Sequence, residues 1–333
     1  MTEPSEQPFS TEIQPADAPG ALGQAAQLLG RGQLVALPTE TVYGLAADAR
    51  SSGAVARIFK AKGRPAGNPL IVHVDSVEMA RGCVAAWPSA AAQLAGAFWP
   101  GPLSLVLPKA DLIPDIVTAG GPTVAVRCPA HPVMRAVLAK CGFPLAAPSA
   151  NRSNRVSSTR AEHVVDHLGG QMPLGRDGGS GDIGSESTVL DLTGDTPILL
   201  RPGSISLGQL QAVIGPVAVA KLPGGGEGLK SPGQLSRHYT PRAKLVVCGD
   251  LAAALGQANE ATHVIAREPA SATWPSELWH RLPDAAPDFA RGFYDTLHRC
   301  DRLGAETILV QALPDDDEWA ALRDRLNRAA AGE

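Results

Sequence analysis

"GQLVALPTETVYGL", Gly32–Leu45, runs an apolar segment into a polar cluster and stops at a glycine before the chain turns apolar again. "QLVAL" has the length and composition of a buried strand. Thr39, Glu40, Thr41 and Tyr43 follow within a few residues, then Gly44. In α/β proteins ligands sit where strands end. A solvated turn, with Thr and Glu bonded to nearby backbone, would use the same residues. The flanking segments decide between the two.

Before this stretch, "ALGQAAQLLGRG" has helical spacing and closes on glycine. After it, "SGAVARIFKAKG" reads as a helix, "NPLIVHV" as a strand, and "SVEMARGCVAA" and "SAAAQLAGAFW" as helices. "LSLVLP" and "TVAVRCP" read as strands, "HPVMRAVLAKCG" as a helix and "PLAAPS" as a strand. Helical "STRAEHVVDHLGG", the strands "ESTVLDL" and "PILLRPG" and the helix "SLGQLQAVIG" complete the series. Such alternation predicts an α/β domain. Thr159 and Glu162 have capping-box spacing, and Gly169 stands at the end of their helix.

From Leu222 to Ala243 the chain is dense in Gly and Pro and has no periodicity. It is a linker by composition, yet it carries Arg237, His238 and Tyr239. At "KLVVCGD" the strand and helix pattern restarts, giving a second unit of about ninety residues.

The 333 residues fit two domains, and an apolar fraction of 44% supports real cores. A net charge of −4 argues against a generally basic nucleic-acid binder, while a local basic pocket remains open. Cys83, Cys128, Cys141, Cys248 and Cys300 are dispersed without C-x-x-C spacing. They read as buried thiols in a reducing compartment, not as a disulfide framework or a zinc site. The polar, Pro-rich start does not resemble a signal peptide, and no run approaches the roughly 20 apolar residues of a membrane span. A soluble cytoplasmic protein without membrane association is expected.

Several strand ends carry similar chemistry. Lys60, Lys62 and Arg64 crowd a helix C-terminus, where the dipole alone favours cations. Pro65, Gly67 and Asn68 then lead into a strand ending at His73, which fits a phosphate cradle. Arg127 ends "TVAVR", as a structural salt bridge or as a fork for a carboxylate or phosphate. "APSANRSNRVSST", "RDGGSGDIGSESTVLD" and "LLRPGS" repeat the theme with Ser, Asn, Gly, Arg152 and Arg155. Together they predict a concave site for an anionic ligand. Other signals fail. "GGGEGLKS" has Leu229 where a P-loop requires glycine, and "HVVDH", with His163 and His167 one turn apart, reads as a solvated face. "DGGSGD" lacks the acids of a calcium loop, and no G-x-S-x-G elbow occurs.

"PTETVYGL", "KAKGRPAGNPLIVH", "TVAVRCPAHP", "APSAN", "ESTVLD", "LLRPG" and "SPGQLSRHYTP", in that order, resemble the Sua5 branch of the YrdC/Sua5 family, the L-threonylcarbamoyladenylate synthases. The resemblance implies a flexible tail over 1–15 and a YrdC-like twisted mixed sheet, with helices around a concave site, over 16–222. A linker over 223–242 able to close on the site and a smaller Rossmann-like α/β domain over 243–333 would follow. It implies a nucleotidyltransferase that condenses L-threonine, bicarbonate and ATP to threonylcarbamoyl-AMP and pyrophosphate. The adenylate would feed a downstream threonylcarbamoyl-transfer complex that modifies adenosine in tRNA.

Lys62, Arg64, Ser149 and Asn151 match the family's Lys-Arg-Ser-Asn signature and are the catalytic candidates. By similarity, Thr41, His73, Arg127, the backbone at Ala147 and Ser187 hold L-threonine. Arg64, Asn68, Thr123, Ser149, Ser157, Arg201 and Tyr239 hold ATP. Mg2+ accompanies the nucleotide, without an assigned protein ligand, and no organic cofactor is implied.

The residue types suit the chemistry. A carbamate forms from the uncharged threonine amine and then attacks the α-phosphorus. Anion meets anion throughout, so the protein neutralises charge and aligns reactants. Thr39, Glu40, Thr41 and Tyr43 would form one pocket wall, with Gly44 turning the chain away from the ligand. Two other classes stay open. A surface for double-stranded RNA is disfavoured by the acidic balance and the lack of stacking aromatics. A carbamoyl-phosphate-dependent transferase would carry zinc-finger cysteines and an acylphosphatase-like segment, which this sequence does not show.

Overall fold

The computed structural model describes residues 9–220, 230–232, 238–271 and 274–331. Among the described residues, the first part of the chain builds a mixed sheet of 11 strands. From one edge the order is Glu12–Pro15, Leu174–Asp177, Val35–Leu37, Gly44–Asp48, Leu145–Ala146 and Ile71–His73. Thr123–Arg127, Leu103–Pro108, Thr188–Asp191, Ile198–Arg201 and Ala218–Val219 continue it to the other edge. Central runs such as "VAL" and "IVH" are buried throughout, as in strands covered on both faces. Alternate side chains serve two cores. Ala36, Leu45 and Ala47 enter one, while Val35, Leu37 and Ala46 pack with Leu29, Met134 and Leu138 in the other.

Local chemistry stops the helices where the site needs them to stop. Ser51 Oγ accepts from Ala54 N at the start of Ser52–Lys62, and Gly63, at φ 60°, ends that helix in a left-handed turn. The stop brings Lys62 Nζ to the carbonyls of Ser149 and Asn151. His73 lies opposite Arg127 on paired parallel strands, and Gly44 bridges to Ser149. Ends of segments far apart in sequence therefore meet in one place.

Several expectations change. Residues 12–15 do not belong to a flexible tail. Glu12–Pro15 pairs in parallel with Leu174–Asp177, and Thr11 Oγ1 donates to Met172 O at 2.6 Å. Residues 1–8 lie outside the described residues. Gly44 does not turn the chain away but opens a strand antiparallel to Val35–Leu37. A Cβ there would meet Ala147 Cβ at 3.2 Å, so glycine lets two pocket-forming segments approach closely. The capping box of Thr159 and Glu162 does not form: the helix starts one residue later, with Arg160 at its N-cap, and Thr159 N donates to His163 Nδ1 at 3.3 Å; Gly169 does close the helix. "HVVDH" is not a solvated face. His163 is fully buried and stacks on His298, ring centroids 3.9 Å apart.

The second unit is a parallel sheet in the order Lys244–Cys248, Thr307–Gln311, Thr262–Ala266, Trp279–Arg281. Leu245, Ile265, Ile308 and Val310 pack with the helices Ala286–Arg302 and Ala320–Ala330. The other face meets the short helix Leu251–Leu255. Val42, Val156 and Tyr239 join the same core as Phe293 and Leu326, so the two units share a seam. The linker is described only at 230–232 and 238–242, where Ser231, Pro232, His238 and Tyr239 are buried. Arg237 and the glycines of "GGGEGLKS" lie outside the described residues.

Candidate functional site

The strand ends enclose a cavity whose anchor is Arg127, only 3% exposed at the end of its strand. Its Nη2 lies 2.7 Å from Glu40 Oε1, Nη1 donates to Thr41 Oγ1 at 3.0 Å, and Nε donates to Gly101 O at 3.2 Å. A guanidinium has five N–H donors, so donors remain for a ligand carboxylate. Thr39 Oγ1 accepts from Thr41 N and Val42 N, which folds the threonine-rich loop on itself and fixes Thr41. Burial alone would raise Glu40, but the charge and hydrogen bond of Arg127 outweigh it and hold the carboxyl below its usual value. Thr39, Thr41 and Tyr43 do form a wall of the cavity, and Glu40 stands behind Arg127.

Arg64, Ser149, Ser187, Arg201 and Tyr239 line the remainder. Arg64 donates from Nε to Asn68 O at 3.0 Å and from Nη2 to Pro69 O at 2.8 Å, and burial brings its pKa down to about 9. Arg201 donates from Nε and Nη2 to Ser187 O at 3.0 and 2.9 Å. Two buried guanidiniums fixed by carbonyls suit a polyanion.

Thr41, His73, Arg127, Ala147 and Ser187, the residues assigned to L-threonine, all meet at this cavity. Of the four signature residues, Arg64 and Ser149 line it, whereas Lys62 and Asn151 are not among its lining residues. Lys62 holds two carbonyls, and Asn151 Nδ2 donates to Arg152 O and Arg155 O, both at 2.8 Å, so the pair braces the "PSAN" turn. Burial, with Arg64 nearby, puts Lys62 well below the usual lysine value. Asn68, Thr123 and Ser157 do not line the cavity either. Thr123 opens the strand that Arg127 ends, and Asn68 is buried, with no partner for either amide atom among the described residues. Ser157 Oγ donates to Glu186 Oε1 at 2.5 Å.

Glu186 escaped the sequence reading. It borders the cavity and also accepts from Tyr294 Oη at 3.0 Å and Arg325 Nε at 2.9 Å. Burial pushes its carboxyl up, but Arg325 and Arg201 prevail and hold it below the usual range. The available signal was an acid two residues before the strand Thr188–Asp191, between the small polar residues Ser185 and Ser187. Tyr239 sits at φ 63°, an uncommon conformation for a bulky residue, and its buried hydroxyl has no hydrogen-bond partner among the described residues.

His73, His238 and His298 are each lowered to about 3, burial being the largest cause. The unfolded chain takes up protons at these positions near pH 6.5, and the folded chain does not until about pH 3. Stability is therefore full above about pH 6.5 and falls with acidification, by on the order of 1.4 kcal/mol per pH unit for each such histidine. The thermal midpoint is expected to be level from pH 7 to 8.5 and to drop steeply below about pH 6. A level midpoint from pH 7 to 5 would contradict the neutral burial of these rings.

Among the described residues, two further groups place metal-ligating atoms within 4.8 Å of one another: His263, His280 and Cys300, and Glu162, His163 and Asp295. His263 Nδ1 and His280 Nε2 satisfy each other at 2.9 Å, and the positive charge of Arg299 acts on both. In the second group Asp295 is taken by Arg160 at 2.9 Å, and Arg302 lies 3.6 Å from Glu162. Packing and ion pairing account for both.

The Sua5/YciO/YrdC family model, described as "Telomere recombination", matches residues 27–203. A second model, "Threonylcarbamoyl-AMP synthase, C-terminal domain", matches residues 205–331. The chain is 40% identical to the threonylcarbamoyl-AMP synthase of Bacillus subtilis, across 93% of each chain. It is 39% identical to that of Pyrococcus abyssi, across 92% of this chain and 93% of the other. The crystal structure of P. abyssi Sua5 complexed with L-threonine matches with a TM-score of 0.88 at 37% identity, covering 97% of both chains.

Proposed function

The chain belongs to the Sua5/YciO/YrdC family, with the Sua5-type C-terminal domain, and we propose that its cavity joins L-threonine, bicarbonate and ATP into threonylcarbamoyl-AMP and pyrophosphate. By that membership it is an enzyme of the threonylcarbamoyl-AMP synthase kind, serving threonylcarbamoyladenosine formation in tRNA. The observation that carries the substrate reading is Arg127, held by Glu40 and Thr41 in a fold whose P. abyssi counterpart was crystallised with L-threonine.

The threonine carboxylate pairs with the remaining donors of Arg127, beside Thr41. Among the described residues His73 Nδ1 has no hydrogen-bond partner, and with its pKa lowered to about 3 by burial the ring is neutral at neutral pH. It orients the amine as an acceptor, and the proton leaves to solvent or bicarbonate. The uncharged nitrogen attacks the bicarbonate carbon, water departs, and a carbamate remains. A carbamate oxygen then displaces pyrophosphate from the α-phosphorus. Arg64 and Arg201 neutralise the triphosphate, and Ser149 and Tyr239 donate hydrogen bonds to it. Lys62 and Asn151 act one layer back, by holding the Ser149 turn.

Mg2+ bound with the nucleotide would supply neutralising charge on the phosphates. Glu40 and Glu186 are ion-paired to Arg127 and Arg325, so the phosphates rather than these carboxylates would hold it. Among the described residues no helix is long and apolar enough to cross a membrane. A cytoplasmic location and delivery of the adenylate to a tRNA-modifying transfer complex complete the proposal.

Pyrophosphate release measured with each reactant omitted in turn tests it. Release is expected only when ATP, L-threonine and bicarbonate are all present. Release indifferent to threonine would overturn the assignment.

A further inference from the structure

Arg325, in the helix Ala320–Ala330 of the second domain, is fully buried beside the cavity of the first. Its Nε donates to Glu186 Oε2 and its Nη2 to Pro202 O, both at 2.9 Å. Its guanidinium carbon also lies 5.3 Å from the centre of the Tyr239 ring. Glu186 directly precedes Ser187, and Pro202 directly follows Arg201. Arg201 and Ser187 are themselves joined through three hydrogen bonds. One guanidinium thus grips both backbone segments that carry this pair. Through Glu186 it also fixes Ser157, and it covers the linker tyrosine.

Resting on the functional reading above, we propose that Arg325 is a positioning residue for the nucleotide. It holds Ser157, Arg201 and Tyr239 in the arrangement that receives ATP. Its third nitrogen, Nη1, donates to Asp324 Oδ2 at 2.6 Å, and unlike Arg127 it is not among the residues that line the cavity, so it acts through its partners. A lysine ammonium has no planar fork with which to meet the Glu186 carboxylate and the Pro202 carbonyl from separate nitrogens at these fixed directions. The threonine side is anchored differently. Arg127, Glu40 and Thr41 bond to one another, and Ser187 Oγ keeps a 2.8 Å bond to Ser104 Oγ within the first domain. Disturbing Arg325 therefore acts on ATP more than on L-threonine.

The experiment is calorimetric binding of ATP and of L-threonine, separately, to the full chain and to Arg325→Gln. ATP affinity is expected to fall about 10–100-fold, the value of a lost charge-assisted hydrogen bond, while threonine affinity changes less than about 3-fold. Because Arg325→Gln leaves Glu186 buried without its cation, it endangers folding. Glu186→Gln with Arg325→Gln removes both charges, so a thermal melt decides which variant is read. In the double variant ATP affinity is expected to stay low. A folded variant that binds ATP like the wild type, or that loses both ligands equally, overturns the positioning role and leaves the enzyme assignment standing. Wild-type protein that binds neither ligand overturns the functional reading, and this inference with it.

Discussion

Arg127→Lys is expected to lower kcat/KM for L-threonine about 100-fold, roughly 2.7 kcal/mol of lost stabilisation, with the KM for ATP changed less than about 3-fold. The charge survives in this variant, so the loss measures the guanidinium's shape. Arg127 serves Glu40, Thr41 and the Gly101 carbonyl at once, and its remaining donors must meet the substrate carboxylate in a fixed plane. An ammonium on a flexible stem satisfies Glu40 and leaves the rest unheld. Steady-state kinetics varying threonine and ATP independently check this. A lysine variant with a wild-type threonine KM and kcat would remove Arg127 from the recognition of the amino acid.

Gly203→Ala is expected to destabilise the protein by about 2–3 kcal/mol, a drop of about 5 °C or more in the thermal midpoint. A Cβ at Gly203 would lie 2.3 Å from Thr188 N and 2.7 Å from the Ser187 carbonyl carbon, both backbone atoms of a central strand end. Neither can yield without pulling Ser187 from Arg201. The KM for ATP should rise as well. Gly53→Ala is the control, since that exposed position in the helix Ser52–Lys62 has no atom within 4 Å of an added Cβ. There alanine should be neutral or stabilising by up to about 1 kcal/mol. Equal midpoints for the two variants would contradict the packing described around Gly203.

Those two sites also mark what the sequence made legible. Arg127 could be read because a cation ending an apolar run has little purpose beyond pairing or ligand binding, and its burial has to be compensated. The central strands were legible as short apolar runs bounded by turns. Leu174–Asp177, reading "LGRD", and Trp279–Arg281, reading "WHR", were not, because neither alternates nor is continuously apolar. Their extended state comes from their sheet partners, as tertiary context overrides local preference. Glu12–Pro15 is likewise an edge strand made by Leu174–Asp177. The helix Ala286–Arg302 did carry its signal, since Phe289, Phe293, Leu297 and Cys300 recur on one face, but the proline at its start and its many charges obscured it. The contact between Glu186 and Arg325 lay beyond any local pattern. It joins residues 139 positions apart in different domains, and only packing brings them together.

Synthesis of the adenylate from bicarbonate is tested by following the carbon atom. Purified protein is incubated with ATP, L-threonine and 13C-labelled bicarbonate, and the adenylate product is examined by mass spectrometry. Threonylcarbamoyl-AMP that carries the label is expected, formed together with pyrophosphate and greatly reduced in Arg127→Lys. ATP consumed without a labelled adenylate, or an adenylate that contains threonine but no carbon from bicarbonate, would contradict it.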